Sequence, residues 1–528
     1  MKRICRWVLL MLLTVTLFMT TASAQELSVN YDPPVVQVQG GLLRGFMDGN
    51  TYCFRGIQYA TAERFEQPQP VEPWEGVKNA QTYGAVCPIL KQTPWTVEQV
   101  NRDEFVWPHR YWIQDEECMN LNIWTQSIDP EAKKPVMVFF HGGGFNNGSS
   151  IEAYAYDGKN LSEFGDVVTV TVNHRLNVLG CLDLSAYGEE YKNSGNIAMA
   201  DLVAALQWVH DNIEAFGGDP ERVMIFGQSG GSTKTVLMYY IPAAEGLFSC
   251  GAGQSSGGAS TMEPGDSARA AEIILEKLGL DGTQIDQLKQ VPYEQLIEVA
   301  TEALEQVSEE TGRSVKWRPT KDGEYILNDW ADFADDIPLM IGTVFSENSG
   351  TLHLGTGKNE WTEEEIEANL TEAFGEDKDA VVEEFMRLYP DKPVQDVLYY
   401  NNRSAVLENV RSRMAATDAP VYHYLFSLEQ PVNGGITAFH CCELTYVFHN
   451  VGLPECTLAT GGTEDCFRVQ DQVAQAWINF AATGNPSQEG LEWKPWTEEE
   501  MGTMVFDVES RFMPLNDVEL CDLLAKHA

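Results

Sequence analysis

"RVMIFGQSGGSTKTVLMYYI", residues 222–241, decides the fold. A short apolar run, Val223 to Phe226, leads into Gly227-Gln228-Ser229-Gly230-Gly231, and the following residues can continue as a helix until Pro242. A G-x-S-x-G pentad between a strand and a helix puts a serine on a sharp turn. The turn lifts the hydroxyl above the sheet edge, and the helix N-terminus favours negative charge beside it. The same pattern recurs as "GQSSG" at 253–257. Roughly 0.2 chance copies are expected in a chain of this length, so the setting has to choose. "LFSCGAG" precedes Ser255 and "GASTMEPGDS" follows it, and those glycines and the proline break any helix. Ser229 is therefore the candidate nucleophile, and Ser255 a neighbour near the sheet edge.

The surroundings of the pentad alternate in the same way. "PVMVFFH" (135–141) and "VVTVTVN" (167–173) are near-continuous apolar runs, as expected for strands buried on both faces of a parallel sheet. "MADLVAALQWVHDNIEAFGGDP" places Leu202, Leu206, Val209, Ile213 and Phe216 at helical spacing and ends on Gly217-Gly218 and Pro220. "PLMIGTV" and "VYHYLF" supply later strands. Strand, helix, strand in this rhythm predicts an α/β fold with a large, mostly parallel central sheet flanked by helices. The acidic stretch from about 263 to 400, including "EWTEEEIEANLTEAFGEDKDAVVEEFM", predicts helical insertions that wall a pocket above the C-terminal sheet edge.

Composition narrows the function. The chain has 528 residues, 44% of them hydrophobic and 10% aromatic, enough for a large core. "MKRICRWVLLMLLTVTLFMTTASAQ" combines Lys2, Arg3 and Arg6 with an apolar run and a small-residue Ala22-Ser23-Ala24. It predicts a secretory signal over residues 1–24, a mature chain 25–528, and a secreted or periplasmic protein with no membrane anchor after signal removal. The net charge of −43 becomes more negative once the signal cations are cut away, and nucleic acid is excluded as a partner. An acidic surface attracts cationic ligands and repels anionic ones. One of the eleven cysteines lies in the signal, and spacing selects no pairing among the rest in a disulfide-permissive compartment. His440-Cys441-Cys442-Glu443 lacks the partner spacing of a metal site, so no metal is expected.

A serine nucleophile needs a base, a group orienting that base, and donors for an oxyanion. "HGGGFNNGS" (141–149) directly follows a buried strand, and its glycines let backbone N–H groups approach a substrate. With this loop the sequence resembles the type-B carboxylesterases, the α/β-hydrolase branch that includes cholinesterases and bacterial para-nitrobenzyl esterases. "FRGIQYA", "RFEQPQPVEPWEGVKNA", "EECMNLNIW", "HGGGF", "VTVNHRLNVLG", the long run from Asn196 to Ser232 and "AWINFAATGNPS" follow in that family's order, over nearly all of residues 25–528. The resemblance implies one α/β-hydrolase domain that cleaves carboxylic esters of small molecules through an acyl-enzyme and without a cofactor. It implies Ser229 as nucleophile, Glu347 in "IGTVFSENSG" as acid and His440 in "TAFHCCELTYVF" as base, with Glu443, Leu444, Val447 and Phe448 completing the last motif. Gly143, Gly144 and the N–H of Gly230 match the oxyanion donors. Cys87 and Cys118 match a loop disulfide, and Arg64 with Glu116 a salt bridge bracing that loop.

Asp335 and Asp336 are alternative acids, and His423 and His449 flank the expected base. Three departures from the family pattern bear on the pocket. The segment after "YA" shortens to "TAERF", Cys441 follows the expected base where a small residue is usual, and Gln228 and Gly230 flank Ser229 where an acid and an alanine are more common. Trp107 lies near the position at which cholinesterases hold a cation, among Trp95, Tyr111 and Trp112; packing under the loop is the competing role. Asn147, Asn160, Asn369 and Asn402 stand in glycosylation sequons. The competing functions are a non-catalytic binding or adhesion protein on the same fold, and a hydrolase of thioester, carbamate or amide bonds.

Overall fold

Alternation inside single strands explains the layering of the molecule, seen here in a computed structural model. Along β4 (Lys134–Phe140), Val136, Val138 and Phe140 join one hydrophobic cluster while Met137 and Phe139 join another. Along β6 (Gly218–Gln228), Val223 and Ile225 divide from Met224 and Phe226 in the same way. Successive side chains point to opposite faces, so a strand apolar at every position fills two cores at once.

Among the described residues the large sheet has eleven strands. In chain order they are β1 (Phe46–Asp48), β2 (Thr51–Gln58), β3 (Asn120–Thr125), β4, β5 (Val168–Val172), β6, β7 (Cys250–Gln254), β8 (Leu339–Val344), β9 (Val421–Phe426), β10 (Gly502–Phe506) and β11 (Arg511–Pro514). Across the sheet they run β11-β10-β9-β8-β7-β6-β4-β5-β3-β2-β1. Every pairing from β5 through β4 and β6 to β10 is parallel. The flanking strands pair antiparallel. The mostly parallel sheet predicted from the apolar runs is the one observed.

Helices cover both faces. α1 (Ile197–Asn212) carries Leu202, Leu206 and Val209 fully buried, and a 3-10 turn with Ile213 and Phe216 continues it to Gly217 at φ 74°. α2 (Gly230–Met238) follows β6 after a single residue, Ser229. In the acidic span, α3 (Asp266–Leu278) packs on α4 (Tyr293–Thr311) before the chain returns to the sheet as β8. α5 (Glu464–Thr483) carries the first eight residues of the "AWINFAATGNPS" motif.

The structure describes residues 33–89, 107–255, 258–347, 357–401 and 403–527. The expected signal segment, Trp95 and Asn402 lie outside them. Residues from Val35 to the C-terminus form one compact unit. Among the described residues no helix is long and apolar enough to cross a membrane.

Cys87 and Cys118 are both thiols, so the implied disulfide between them is absent here. Both are buried, and the Cys87 sulfur accepts from the Leu176 N–H at 3.2 Å. Sequence placed the two sulfurs together; their oxidation state depends on the redox compartment, which chain geometry does not set.

Candidate active site

Ser229 sits where β6 gives way to α2, with φ 57° and ψ −120°, a left-handed conformation that a side-chain-bearing residue adopts only when its surroundings force it. The forcing is steric and local. A Cβ on Gly231 would lie 1.9 Å from the Phe140 carbonyl oxygen, and one on Gly227 would lie 2.5 Å from the Gly231 carbonyl carbon. The turn closes because the neighbouring strand and the first helical turn meet with no side chain between them. Ser229 N–H donates to the Gln254 carbonyl at 2.9 Å, which ties the turn to β7.

The glycine loop after β4 rises beside the elbow. Gly143 and Gly144 have φ of 78° and 63°, and a Cβ on Gly230 would lie 2.4 Å from Gly144 Cα. The three N–H groups at 143, 144 and 230 have no acceptor among the described residues. Free N–H groups at a helix N-terminus and in a glycine loop are the usual construction of an oxyanion site. Lys234 of α2, fully buried, donates from Nζ to the His141 carbonyl at 2.9 Å and so fastens the start of that loop. Burial pulls its ammonium down to about 7.

His440 and Glu347 arrive on loops beyond the C-terminal ends of β9 and β8. His440 Nδ1 and Glu347 Oε2 are 2.5 Å apart, and Val344 N–H donates to the other carboxylate oxygen at 3.0 Å. The imidazole is 38% exposed and the carboxylate 14%. Burial pulls the His440 pKa down, but the Glu347 carboxylate against Nδ1 favours the charged ring and holds it well above its ordinary range, with Cys441 adding to this only where its thiol ionises. Glu443, 1% exposed, is pushed up to about 7 by burial and by the nearby Glu347. It accepts from Gln254 Nε2 at 3.4 Å.

The alternatives fall elsewhere. Ser255 follows the last residue of β7, and the next described helix begins only at Asp266. Asp335 and Asp336 precede β8, at the opposite end of that strand from Glu347. His423 is buried within β9, bonded to the Ile341 carbonyl at 2.7 Å and Arg403 at 2.9 Å. His449 pairs with Asp471 at 2.8 Å. Trp107 packs edge-on against Tyr156, in keeping with an aromatic that supports its loop. Arg64 grips both oxygens of Glu116, at 2.7 Å through Nε, and also bonds the Val291 carbonyl at 2.6 Å. The salt bridge braces the insertion as well as the loop.

Two contacts were not foreseen from sequence. Gln228 Nε2 lies 3.3 Å from His440 Nδ1 and 3.2 Å from Nε2, and the Cys441 thiol donates to Gln228 Oε1 at 3.1 Å. Among the described residues no hydrogen bond joins Ser229 to the His440 ring. Resting sites of this kind often tighten only around substrate. The signal for Gln228 and Cys441 was present as departures from the family pattern, without any indication that the two touch.

A cavity of about 780 Å³ opens beside the glycine loop, with Gly143 and Gly144 on one wall and Leu304, Glu305 and Ser308 of α4 on another. The acidic insertion therefore walls a pocket, as expected. Its size suits a small organic ligand.

Strand order, elbow and glycine loop together define an α/β-hydrolase. The sequence profile of the carboxylesterase family matches residues 32–519. A para-nitrobenzyl esterase of Bacillus subtilis is 32% identical over 490 residues, covering 90% of this chain and 95% of that one. A fumonisin B1 esterase of Sphingopyxis macrogoltabida is 29% identical, covering 89% and 86% respectively. The solved structure of an esterase from Clostridium hathewayi, reported to hydrolyse aliphatic aromatic polyesters, superposes with a TM-score of 0.86 at 41% identity, covering 94% of this chain and 99% of that one. The chain belongs to the carboxylesterase family and is a carboxylic-ester hydrolase.

Proposed function

We propose that Ser229 attacks the ester carbonyl of a small-molecule substrate and forms an acyl-enzyme that water then hydrolyses. His440 takes the Ser229 proton and returns one to the leaving alcohol. Glu347 holds the imidazole with its Nδ1 proton facing the carboxylate and stabilises the cation that forms. Gly143, Gly144 and Gly230 donate to the developing oxyanion. No cofactor enters the cycle. The observation that carries this reading is the 2.5 Å His440–Glu347 pair on loops beyond the C-terminal ends of two parallel strands, at the sheet edge where Ser229 is held strained beside free N–H groups.

The reading extends to the protein's compartment. The leader over residues 1–24 supports export to the periplasm or medium with cleavage after Ala24. In that oxidising setting the buried Cys87 and Cys118 would join in the disulfide that the family resemblance implies. N-terminal sequencing of the exported protein and peptide mapping without reductant check both points.

The deciding experiment is a fluorophosphonate probe, with the modified residue mapped by mass spectrometry. Such a probe labels a serine that a working base and oxyanion site activate. Labelling at Ser229 is the expected result. Labelling at Ser255 would move the nucleophile to the next strand, and an unlabelled, folded sample would sink the acyl-enzyme mechanism.

A further inference from the structure

Gln228 immediately precedes Ser229 and is fully buried beneath the expected base. Its amide has two ends, and packing alone does not choose between them. The Cys441 thiol chooses. Burial holds that thiol above its ordinary range, although His440 works against this, so at neutral pH it is an S–H donor rather than a thiolate. A donor at 3.1 Å claims the amide oxygen, Oε1. The Nε2 end must then face the imidazole, and it does, nearly equidistant from the two ring nitrogens. Cys441 itself stands at φ 77°, so its backbone is held in the left-handed region that brings the thiol to this spot.

We propose that Gln228 and Cys441 form a positioning pair for His440, in which the thiol fixes the orientation of the amide and the amide keeps the ring over the Ser229 elbow. The inference rests on Ser229, His440 and Glu347 acting as proposed above. Glu347 restrains the ring at one nitrogen only, and a ring held by one hydrogen bond can swing about it. The amide, lying against the ring between its two nitrogens, supplies a second restraint from the C-terminal end of β6 without taking the Nε2 lone pair that receives the Ser229 proton. A neutral amide also contributes no negative charge to a site where Glu347 and Glu443 already lie close. A carboxylate at position 228 would add a third and stabilise the imidazolium, the form that cannot act as base.

The test compares Gln228→Met, Gln228→Glu, Cys441→Ala and Cys441→Ser with the unaltered enzyme, using para-nitrophenyl butyrate and counting active sites by fluorophosphonate labelling. Gln228→Met and Cys441→Ala should lower kcat per labelled site about tenfold with KM changed less than about twofold, the pattern of a misplaced base. Cys441→Ser retains a hydroxyl donor and should recover most of that loss. Gln228→Glu should move the acid limb of kcat/KM upward, facing Glu347, Cys441 and Glu443 as it would. Unchanged kcat per site in Gln228→Met and Cys441→Ala would overturn the pair, and so would Cys441→Ser as impaired as Cys441→Ala. An unaltered enzyme that turns over the ester but does not label at Ser229 would overturn the underlying assignment and the pair with it.

Discussion

Glu347 contributes through geometry as much as through charge. One carboxylate oxygen meets His440 Nδ1 and the other accepts from the Val344 N–H, so the side chain is fixed at both ends. Glu347→Gln keeps the shape but presents an amide to the ring and favours the wrong tautomer. A fall of about 10⁴-fold in kcat with the fold intact is expected, measured by steady-state ester hydrolysis and circular dichroism. The raised His440 pKa sets a second expectation. The base works only when neutral, so activity should rise with pH through an acid limb centred above about 6.5, the ordinary imidazole value. A pH profile of kcat/KM checks this. A limb at or below that value would mean that burial outweighs the neighbouring Glu347. The turn that carries Ser229 was legible in the sequence, because strand, small flanks and helix surround Ser229 and not Ser255. The contact between Gln228 and Cys441 was not legible, since 213 residues separate them and no local pattern encodes a through-space amide orientation.

The elements meet at the elbow with no slack. A methyl on Gly230 would lie 2.4 Å from Gly144 Cα and equally near its backbone nitrogen, so β6, α2 and the glycine loop approach more closely than an alanine permits. Gly230→Ala must push α2 or the glycine loop away. Loss of one well-placed oxyanion donor should lower kcat by about 10²-fold or more, while KM moves little. If the variant keeps full kcat, the loop tolerates the shift and the oxyanion donors lie elsewhere. The strands themselves were readable from β-branched runs, because a strand buried on both faces must be apolar at every position. The end of α1 was readable only approximately. Its α-helical hydrogen bonding stops at Asn212 and a 3-10 turn carries the apolar stripe on to Phe216, a change in winding that apolar spacing does not distinguish.

Across the whole molecule, distant segments are locked by buried charge. Arg403 and Asp517 are both 0% exposed and pair at 2.7 Å and 2.8 Å, with Tyr400 donating to the same carboxylate at 2.7 Å. Asp517→Asn would leave the guanidinium without its counter-charge and should destabilise the protein by about 3–5 kcal/mol in urea unfolding. Burial works to raise the Asp517 pKa, yet Arg403 overrides it and holds the carboxyl below its usual value. The stability this pair contributes is therefore complete above about pH 3.9, the unfolded value, and is lost as pH falls through the lower folded one. Unfolding midpoints measured from neutral to acid pH should fall more steeply for the unaltered protein than for Asp517→Asn. A long-range pair of this kind has no signature in sequence, because its two residues are 114 positions apart.

By itself the sequence determined the α/β architecture, the elbow serine, the glycine loop and the order of Ser229, Glu347 and His440, because each is written in a contiguous stretch whose residue types have few other uses. The tertiary structure decided what faces what. It set Glu347 against His440 and left Asp335 and Asp336 at the opposite end of the same strand, and it buried His423 against Arg403. It brought Gln228 and Cys441 together around His440 and left Cys87 and Cys118 as buried thiols. Local residue chemistry fixes which elements form. Distances between side chains far apart in sequence exist only once the parallel sheet has set the strands side by side.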